Sequence, residues 1–364
     1  MPMRLSRFFI FPLMSIGILL LVALTGIKPA AAKPHKIPSL TLVKAPSAEA
    51  LFVKVLQSDD LFSYKGRQIT TYWRTGRAVE VMVYHNPPDD HRIEYLNPEM
   101  ARGRLLVSDG LQQWEYDPHQ KVLRLRRLSP GALDDDDLLS YTLLRANYLL
   151  AVDPKPRTWA ERKAYLVTIK RPKGATLARR FWIDAGSGLI LKREIYGEDG
   201  KLAVTVTFSD ITYHPTLDST LFSLASLAKT IHTVELPSAE TAVPMTFLQK
   251  QLAGKASAPG SLAGYRLVGA TTTKIGERPV LHLRYSDGLN LVSLFEQRRT
   301  QPQRPTLVPA GMRVTQIGSI PVHISHRASL TTLNWDTSTL NTTLMGEMGI
   351  SSLQTLAQAA IQGH

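Results

Sequence analysis

Apolar residues alternate with polar residues in many short segments of this chain, and a period of two predicts half-buried β-strands. The clearest case is Ala78–Tyr84, where Val79, Val81 and Val83 occupy every second position. The same alternation recurs elsewhere, in Arg92–Leu96, Val122–Leu128 and Leu202–Phe208. Turn signals such as Asp109-Gly110 separate neighbouring segments, because glycine accepts positive φ. The pattern therefore predicts consecutive antiparallel hairpins with one apolar face.

Four segments depart from this alternation and predict helices. Residues 48–56 are apolar and precede the first strand, and Phe247–Leu252 is a second short candidate. After Asp134–Asp137, leucine and tyrosine recur at helical spacing, and the four acids would lie at the favourable end of the helix dipole. Ser351–Ile361 has the pattern of a closing helix.

The alternation stops between Ser223 and Val243, and we interpret residues 223–243 as a linker between two domains. The chain has 364 residues, which suits two domains. The predicted fold is α+β and β-rich. Residues 48–222 form a curved antiparallel sheet, a half-barrel with a helix, and residues 244–364 form a smaller α+β domain. An insert rich in Pro, Gln and Arg occupies residues 298–309.

The first 32 residues have the pattern of an export signal. Arg4 and Arg7 precede an apolar run, and Ala30-Ala31-Ala32 provides a cleavage site of the A-x-A kind. The apolar run is also long enough to span a bilayer. We therefore expect a periplasmic or extracytoplasmic protein exported by a signal peptide, with an N-terminal membrane anchor as the alternative.

Composition narrows the possible functions. The chain has no cysteine, which excludes disulfides, thiolate metal sites, thiol catalysis and a lipoprotein anchor. Without residues 1–32 it keeps 40 basic residues against 30 acidic ones, a net charge of +10. This excess favours acidic partners such as anionic lipid head groups, although a basic exterior also simply maintains solubility. Export makes nucleic acid an unexpected partner.

Motifs for catalysis and metal binding are missing from the sequence. It contains no P-loop, dinucleotide fingerprint or nucleophile elbow. Two groups could offer metal ligands, the turn from His85 to His91 and the pair His323 and His326, but a plain turn and surface histidines are the simpler interpretations. The Asp134–Asp137 run lacks calcium-loop spacing. We expect no catalytic residue, no metal and no cofactor.

Eight aromatic residues on the predicted curved sheet are candidates for an apolar ligand pocket. Aromatic side chains on the inner face of such a sheet either fill a core or line a pocket. The candidates are Tyr64, Tyr72, Tyr84, Tyr95, Trp114, Tyr116, Phe181 and Trp182.

Several segments resemble the MucB/RseB family of periplasmic sigma-factor regulatory proteins, whose N-terminal unit is of the LolA/LolB type. In the first unit the resemblance is carried by Phe62–Gly66, Arg92–Leu96, Leu105–Tyr116 and Phe181–Asp184. In the second unit it is carried by His282–Phe295, which contains the sequence Tyr-Ser-Asp-Gly-Leu.

The resemblance implies a regulator. Members bind the extracytoplasmic part of a single-span anti-sigma factor, shield it from proteolysis, and are released by a lipid-like envelope-stress signal. It implies an acyl-chain pocket in the first unit and partner contact mostly in the second. The candidate partner-binding residues are Tyr285, Ser286, Asp287, Gly288 and Leu289. The alternative is a periplasmic lipid or lipoprotein carrier of the LolA class. The identity of the ligand and of the protein partner, homo-oligomer formation and the role of the insert stay open.

Overall fold

The computed structural model describes residues 45–128, 137–236, 241–242, 260–275, 278–299, 313–327 and 330–362. Two antiparallel-rich sheets make up two units, the first with several described helices and the second with one. The predicted α+β, β-rich fold, with a curved sheet followed by a smaller α+β unit, is confirmed. The predicted signal peptide, the predicted helix at 247–252 and residues 300–309 of the insert lie outside the described residues.

The first unit contains a sheet of thirteen described strands in the order β13-β6-β5-β4-β3-β2-β1-β12-β11-β10-β9-β7, with β8 paired to β9. Its helices are α1 (Ala48–Leu61), α2 (Asp137–Asn147) and α3 (Ala225–Ala228). Its strands are β1 (Tyr64–Tyr72), β2 (Arg77–Asn86), β3 (Asp90–Asn97), β4 (Leu105–Asp109), β5 (Gln112–Asp117), β6 (Val122–Arg127), β7 (Leu149–Val152), β8 (Arg157–Trp159), β9 (Arg162–Lys170), β10 (Leu177–Asp184), β11 (Ile190–Tyr196), β12 (Leu202–Tyr213) and β13 (His232–Glu235). Short 3-10 helices lie at Glu99–Ala101, Lys173–Ala175 and Ser219–Phe222.

The second unit contains a nine-stranded sheet in the order β14-β16-β17-β18-β22-β21-β20-β19, with β15 paired to β16. Its strands are β14 (Thr241–Ala242), β15 (Ser261–Leu262), β16 (Tyr265–Ile275), β17 (Arg278–Ser286), β18 (Leu291–Arg298), β19 (Arg313–Ile317), β20 (Ile320–Arg327), β21 (Leu330–Asp336) and β22 (Leu340–Gly346). The helix α4 (Ile350–Gln362) packs against this sheet through Leu353, Leu356, Ala357 and Ala360.

Helices α1 and α2 cover one face of the first sheet, which we call the helix face. Helix α1 begins at Ser47, whose Oγ accepts a hydrogen bond from the backbone N–H of Ala50 at 3.1 Å. Leu51, Phe52 and Val55 are buried along α1, and they pack with Tyr141 and other residues in one apolar cluster. This cluster fixes both helices to β9 and β10.

The opposite, outer face of the first sheet is partly covered by the chain around residues 217–231. Phe222 and Leu224 pack there against Val107, Trp114 and Leu123. Beyond this segment, β13 pairs in parallel with β6. The first unit therefore continues into residues 223–235, which the sequence interpretation assigned to the linker, and includes α3 and β13.

Candidate functional site

In the second unit, the sequence Tyr-Ser-Asp-Gly-Leu leads into the turn that connects β17 to β18. We call residues 286–290, from the last residue of β17 to the residue before β18, the joint loop. The Asp287 carboxylate accepts hydrogen bonds from the backbone N–H groups of Leu289 and Asn290, at 2.9 and 2.7 Å. The Ser286 hydroxyl oxygen accepts one from the N–H of Gly288 at 2.9 Å. Gly288 has φ of +89°, a conformation that other residues adopt only with strain. These bonds make the joint loop a fixed turn.

The tip of the joint loop inserts into the first unit. Leu289 is only 6% exposed, although it follows the turn at the end of a hairpin. It belongs to the apolar cluster of the first unit, together with side chains from α1, α2 and β10. Four members of that cluster define what we call the Leu289 site: Phe52, Tyr141, Leu144 and Phe181. The second unit thus contributes a residue to the core of the first.

Polar groups surround this apolar contact. The Tyr148 hydroxyl donates to Asp287 Oδ2 at 2.6 Å, and Asn147 Nδ2 donates to the Asp287 carbonyl at 3.0 Å. Arg179 donates to Asn290 Oδ1 at 2.9 Å, and Asn290 Nδ2 donates to the Tyr148 hydroxyl at 3.1 Å. Burial and the nearby Asp287 carboxylate raise the pKa of Tyr148 far above its usual value. Tyr148 therefore remains a hydrogen-bond donor at any physiological pH.

Two further contacts join the units. Gly288 lies so close to α2 that a Cβ atom there would overlap the backbone of Leu143 and Leu144. The backbone N–H of Gly349 donates to Glu198 Oε1 at 3.2 Å. Together with the hydrogen bonds of the joint loop, these contacts fix the second unit against the first.

A charged region borders this joint on the helix face. Burial, with the nearby charge of Arg179, lowers the pKa of Arg193 to about 10, whereas Glu347 of the second unit and Tyr72 oppose this shift. Burial also raises the pKa of Tyr72, to which Glu347 contributes. The charge of Glu347 in the second unit therefore acts on Arg193 and Tyr72 of the first unit.

The eight aromatic residues predicted to line a pocket do not share one surface. By strand register, four lie on the helix face: Tyr64, Tyr72, Tyr95 and Phe181. The other four lie on the outer face: Tyr84, Trp114, Tyr116 and Trp182. Trp114 is buried under the 217–231 segment, and Tyr84 and Tyr116 border the same cluster. The structure thus brings Tyr64, Tyr72, Tyr95 and Phe181 onto one face of the sheet, and the pocket itself stays a prediction.

Trp182 contributes to a different arrangement on the outer face. The Lys192 ammonium lies 4.4 Å from the Trp182 ring centre and 4.5 Å from that of Trp159, and it pairs with Glu194 at 2.8 Å. A depression of about 350 Å³ lies nearby. It is lined by Thr158, Trp159, Ala160, Thr207, Phe208 and Ser209, so none of the eight predicted residues forms it.

The five residues predicted to contact a protein partner are all buried within the chain. Tyr285 is 0% exposed and belongs to the core under α4. The other four lie in the joint loop. Their partners Asn147, Tyr148 and Arg179 could not be predicted from the sequence, because Asn147 and Asp287 are 140 positions apart and no local pattern connects them.

The turn from His85 to His91 holds no metal-binding group. Across the described ranges, no three His, Cys, Asp or Glu side chains come together as such a group. The rings of His85 and His91 stack instead, with 4.4 Å between their centres. The His85 ring nitrogens lie 2.7 Å from the Asp59 carbonyl oxygen and 3.0 Å from that of Asp90. His85 thus joins the end of α1 to the β2–β3 hairpin.

Acid should weaken the fold through His91. Burial and the neighbouring His85 lower the pKa of His91 to about 3, from 6.5 for a free histidine. The unfolded chain therefore binds this proton more readily, and stability is lost as pH falls below 6.5. The loss between pH 7 and pH 5 is on the order of 1–2 kcal/mol. Urea unfolding at both pH values should show a smaller loss for His91→Gln. The control is His119→Gln at an exposed histidine, which should lose as much stability as the wild type. An equal loss in the wild type and in His91→Gln would rule out this role of His91.

The fold and the joint define a two-unit, β-rich protein whose second unit completes the core of the first. The chain belongs to the MucB/RseB family. Residues 47–235, just over half of the chain, match the model of the MucB/RseB N-terminal domain. A comparison with curated protein sequences finds no match. The described helices are all too short or too polar to form a membrane span.

Solved structures support the same fold. The chain is similar to a structure of the Pseudomonas aeruginosa MucA/MucB complex, with a TM-score of 0.54 and 15% identity, covering 84% of this chain and 95% of that one. It is also similar to MucB in complex with MucA(peri), with a TM-score of 0.53 and 17% identity, covering 86% and 98%. A structure of MucB gives a TM-score of 0.50 and 16% identity, covering 86% and 96%. The similarity spans both units.

Proposed function

We propose that this protein is an extracytoplasmic regulator that binds the extracytoplasmic segment of a membrane-spanning anti-sigma factor and protects it from proteolysis. Family membership carries this proposal. The similar structures add support, because MucB forms a complex with MucA and the similarity extends over nearly all of that MucB chain. The protein acts by binding alone, without catalysis, on the outer side of the cytoplasmic membrane.

The joint gives this proposal a physical basis. A bound segment protected from a protease needs a surface that excludes the enzyme along several residues. Two units held at a fixed angle by the joint loop provide a larger continuous surface than either alone. The net charge of +10 expected for the exported chain favours association with an acidic segment.

A lipid-like ligand is the second part of the proposal. The apolar cluster between α1, α2 and the sheet is rich in aromatic and aliphatic side chains, the type that binds acyl chains. Binding of such a ligand would release the anti-sigma factor if it altered the joint. A lipid carrier of the LolA class is the alternative, and the same cluster would favour it. A carrier needs only the first unit, whereas this chain also has a second unit fixed to the first.

Affinity capture from membranes distinguishes the two functions. We expect the immobilised mature chain, residues 33–364, to retain a single-span membrane protein encoded beside a sigma factor. The second unit alone is not a suitable bait, because Leu289 of this unit is buried in the apolar cluster of the first unit and would be exposed without it. Recovery of lipoproteins without any single-span protein would instead establish the carrier.

A further inference from the structure

We propose that the depression beside Trp159 in the first unit binds a saccharide, a segment of β-linked pyranose rings. This site lies apart from the joint and goes beyond the proposed function, because it would hold the protein to a glycan whether or not a protein partner is bound. The depression has a volume of about 350 Å³ and is lined by residues 158–160 and 207–209. Its volume is in the range of small-ligand sites, and its lining combines an aromatic ring with hydroxyl groups.

The indole ring of Trp159 is fixed before any ligand arrives. Its Nε1–H donates to Thr207 Oγ1 at 2.9 Å and to the Phe208 carbonyl oxygen at 3.3 Å. These bonds occupy the only polar group of the ring, so the rest of the indole is an apolar surface. A pyranose ring with equatorial hydroxyls has an apolar face of axial C–H groups, which packs against the electron-rich face of an aromatic ring. Because the indole is already ordered, binding costs little conformational entropy.

Backbone strain next to Trp159 also favours a binding role. The turn between β8 and β9 consists of Ala160 and Glu161, with φ of +47° and +61°. Residues with side chains adopt this left-handed region with strain, and a two-residue turn of this kind usually contains asparagine or glycine. Strained backbone that persists in a folded protein is concentrated at active sites and ligand sites. Trp159 directly precedes this turn, so the strain lies at the edge of the depression.

A second fixed indole extends the aromatic surface along β12. Trp73 Nε1 donates to Thr205 Oγ1 at 2.8 Å, the same type of bond that Trp159 makes with Thr207. The two threonines are two residues apart on one face of the strand, which is about 7 Å. Trp73 is 55% exposed. Two fixed indoles along one strand suit an elongated ligand with repeated apolar faces, such as a chain of sugar rings.

The charged groups beside the depression are paired, which favours a neutral polar ligand. The Lys192 ammonium pairs with the Glu194 carboxylate at 2.8 Å. On the other side, the Ser209 hydroxyl donates to Asp210, whose carboxylate lies 3.7 Å from Arg67. Paired charges attract a free anion weakly, and they still offer hydrogen bonds to sugar hydroxyls. A lining with hydroxyl groups is also a poor match for a hydrocarbon chain.

The indole signals of the tryptophans test the site directly. The chain has five tryptophans, so a ¹⁵N–¹H NMR spectrum of residues 33–364 has five indole N–H signals. Chitotetraose, a soluble β-linked oligosaccharide, should shift the signals of Trp159 and Trp73 until they saturate. The signals of Trp114 and Trp335 are internal controls and should stay in place, because these residues are 4% and 1% exposed in separate apolar clusters. A Trp159 signal that does not move, or equal shifts at all five, would overturn the proposal.

Filling the depression provides the second test. Ser209 lines the depression and is exposed, so Ser209→Trp should block the site without disturbing the core. We expect its affinity for chitotetraose, measured by calorimetry, to fall by about tenfold or more. Trp159→Ala should show a similar loss, with the Trp114 and Trp335 signals as the check that it folds. The matched control is Ser219→Trp at an exposed serine outside the depression, which should bind like the wild type. Wild-type affinity in Ser209→Trp would contradict the assignment.

Two further ligands decide the chemical class. Octanoate at the same concentration should leave the Trp159 signal in place, and a larger shift with octanoate than with chitotetraose would overturn the saccharide assignment. Cellotetraose has the same linkage without acetamido groups. Tighter binding of chitotetraose supports an N-acetylated glycan as the source, whereas tighter binding of cellotetraose supports an unacetylated glucan. These outcomes are independent of anti-sigma factor capture, which decides the proposed function separately.

Discussion

Replacing Gly288 by alanine is expected to separate the two units while leaving each folded. The added Cβ would overlap the backbone of Leu143 and Leu144, which cannot move without disturbing α2. Loss of the joint would expose Leu289 to water, and exposing a buried leucine side chain costs about 1.5–3 kcal/mol of free energy. It would also remove the Tyr148–Asp287 hydrogen bond, worth about 1.5–3 kcal/mol for a charged acceptor. Small-angle scattering should show a larger radius of gyration, and thermal unfolding should divide into two transitions.

A matched control variant separates the effect of the steric overlap from the effect of backbone strain. Gly264 also belongs to the second unit and has φ of +93°, yet a Cβ atom there would meet nothing within 4 Å. Gly264→Ala should therefore carry only the strain, about 1–2 kcal/mol, and keep the compact wild-type scattering profile. If Gly288→Ala scatters like Gly264→Ala, the joint loop does not hold the units together.

Phe52→Ala should produce the second large effect, a loss of about 3–5 kcal/mol in the free energy of unfolding of the first unit. Phe52 is 0% exposed and packs against Tyr141 and Phe181. Its removal leaves a cavity between α1, α2 and the sheet. Urea unfolding followed by tryptophan fluorescence measures this loss.

The neighbouring Val53 provides the control, because it is in the same helix and 46% exposed. Val53→Ala should change the unfolding free energy by less than about 0.5 kcal/mol. Comparable losses for the two variants would mean that α1 does not pack as described. Because Leu289 lies in the same cluster, the effects of Phe52→Ala and Leu289→Ala should also be non-additive.

The alternating pattern predicted local elements well because strand and helix formation depends on neighbouring residues. Ala78–Tyr84 lies within β2, and Ser351–Ile361 lies within α4. The Asp109-Gly110 signal lies at the turn between β4 and β5. Each of these features is encoded within about ten residues of sequence.

The features that the sequence did not reveal are non-local. β13 joins the sheet by parallel pairing with β6, more than 100 residues earlier in the chain, so its short segment was interpreted as linker. Tyr64 and Tyr84 lie on opposite faces because of the register between β1 and β2, which alternation within either strand does not define. Burial of the joint loop likewise depends on the first unit, so its residues were expected at a partner surface.

Protection of the partner from proteolysis tests the central claim most directly. The measurement is the half-life of the extracytoplasmic segment of the neighbouring single-span anti-sigma factor, in the presence of the protease that cleaves it and of residues 33–364 of this chain. We predict that the half-life lengthens with the chain's concentration and saturates at a one-to-one ratio. A half-life unchanged at saturating concentration would contradict the proposed regulatory function.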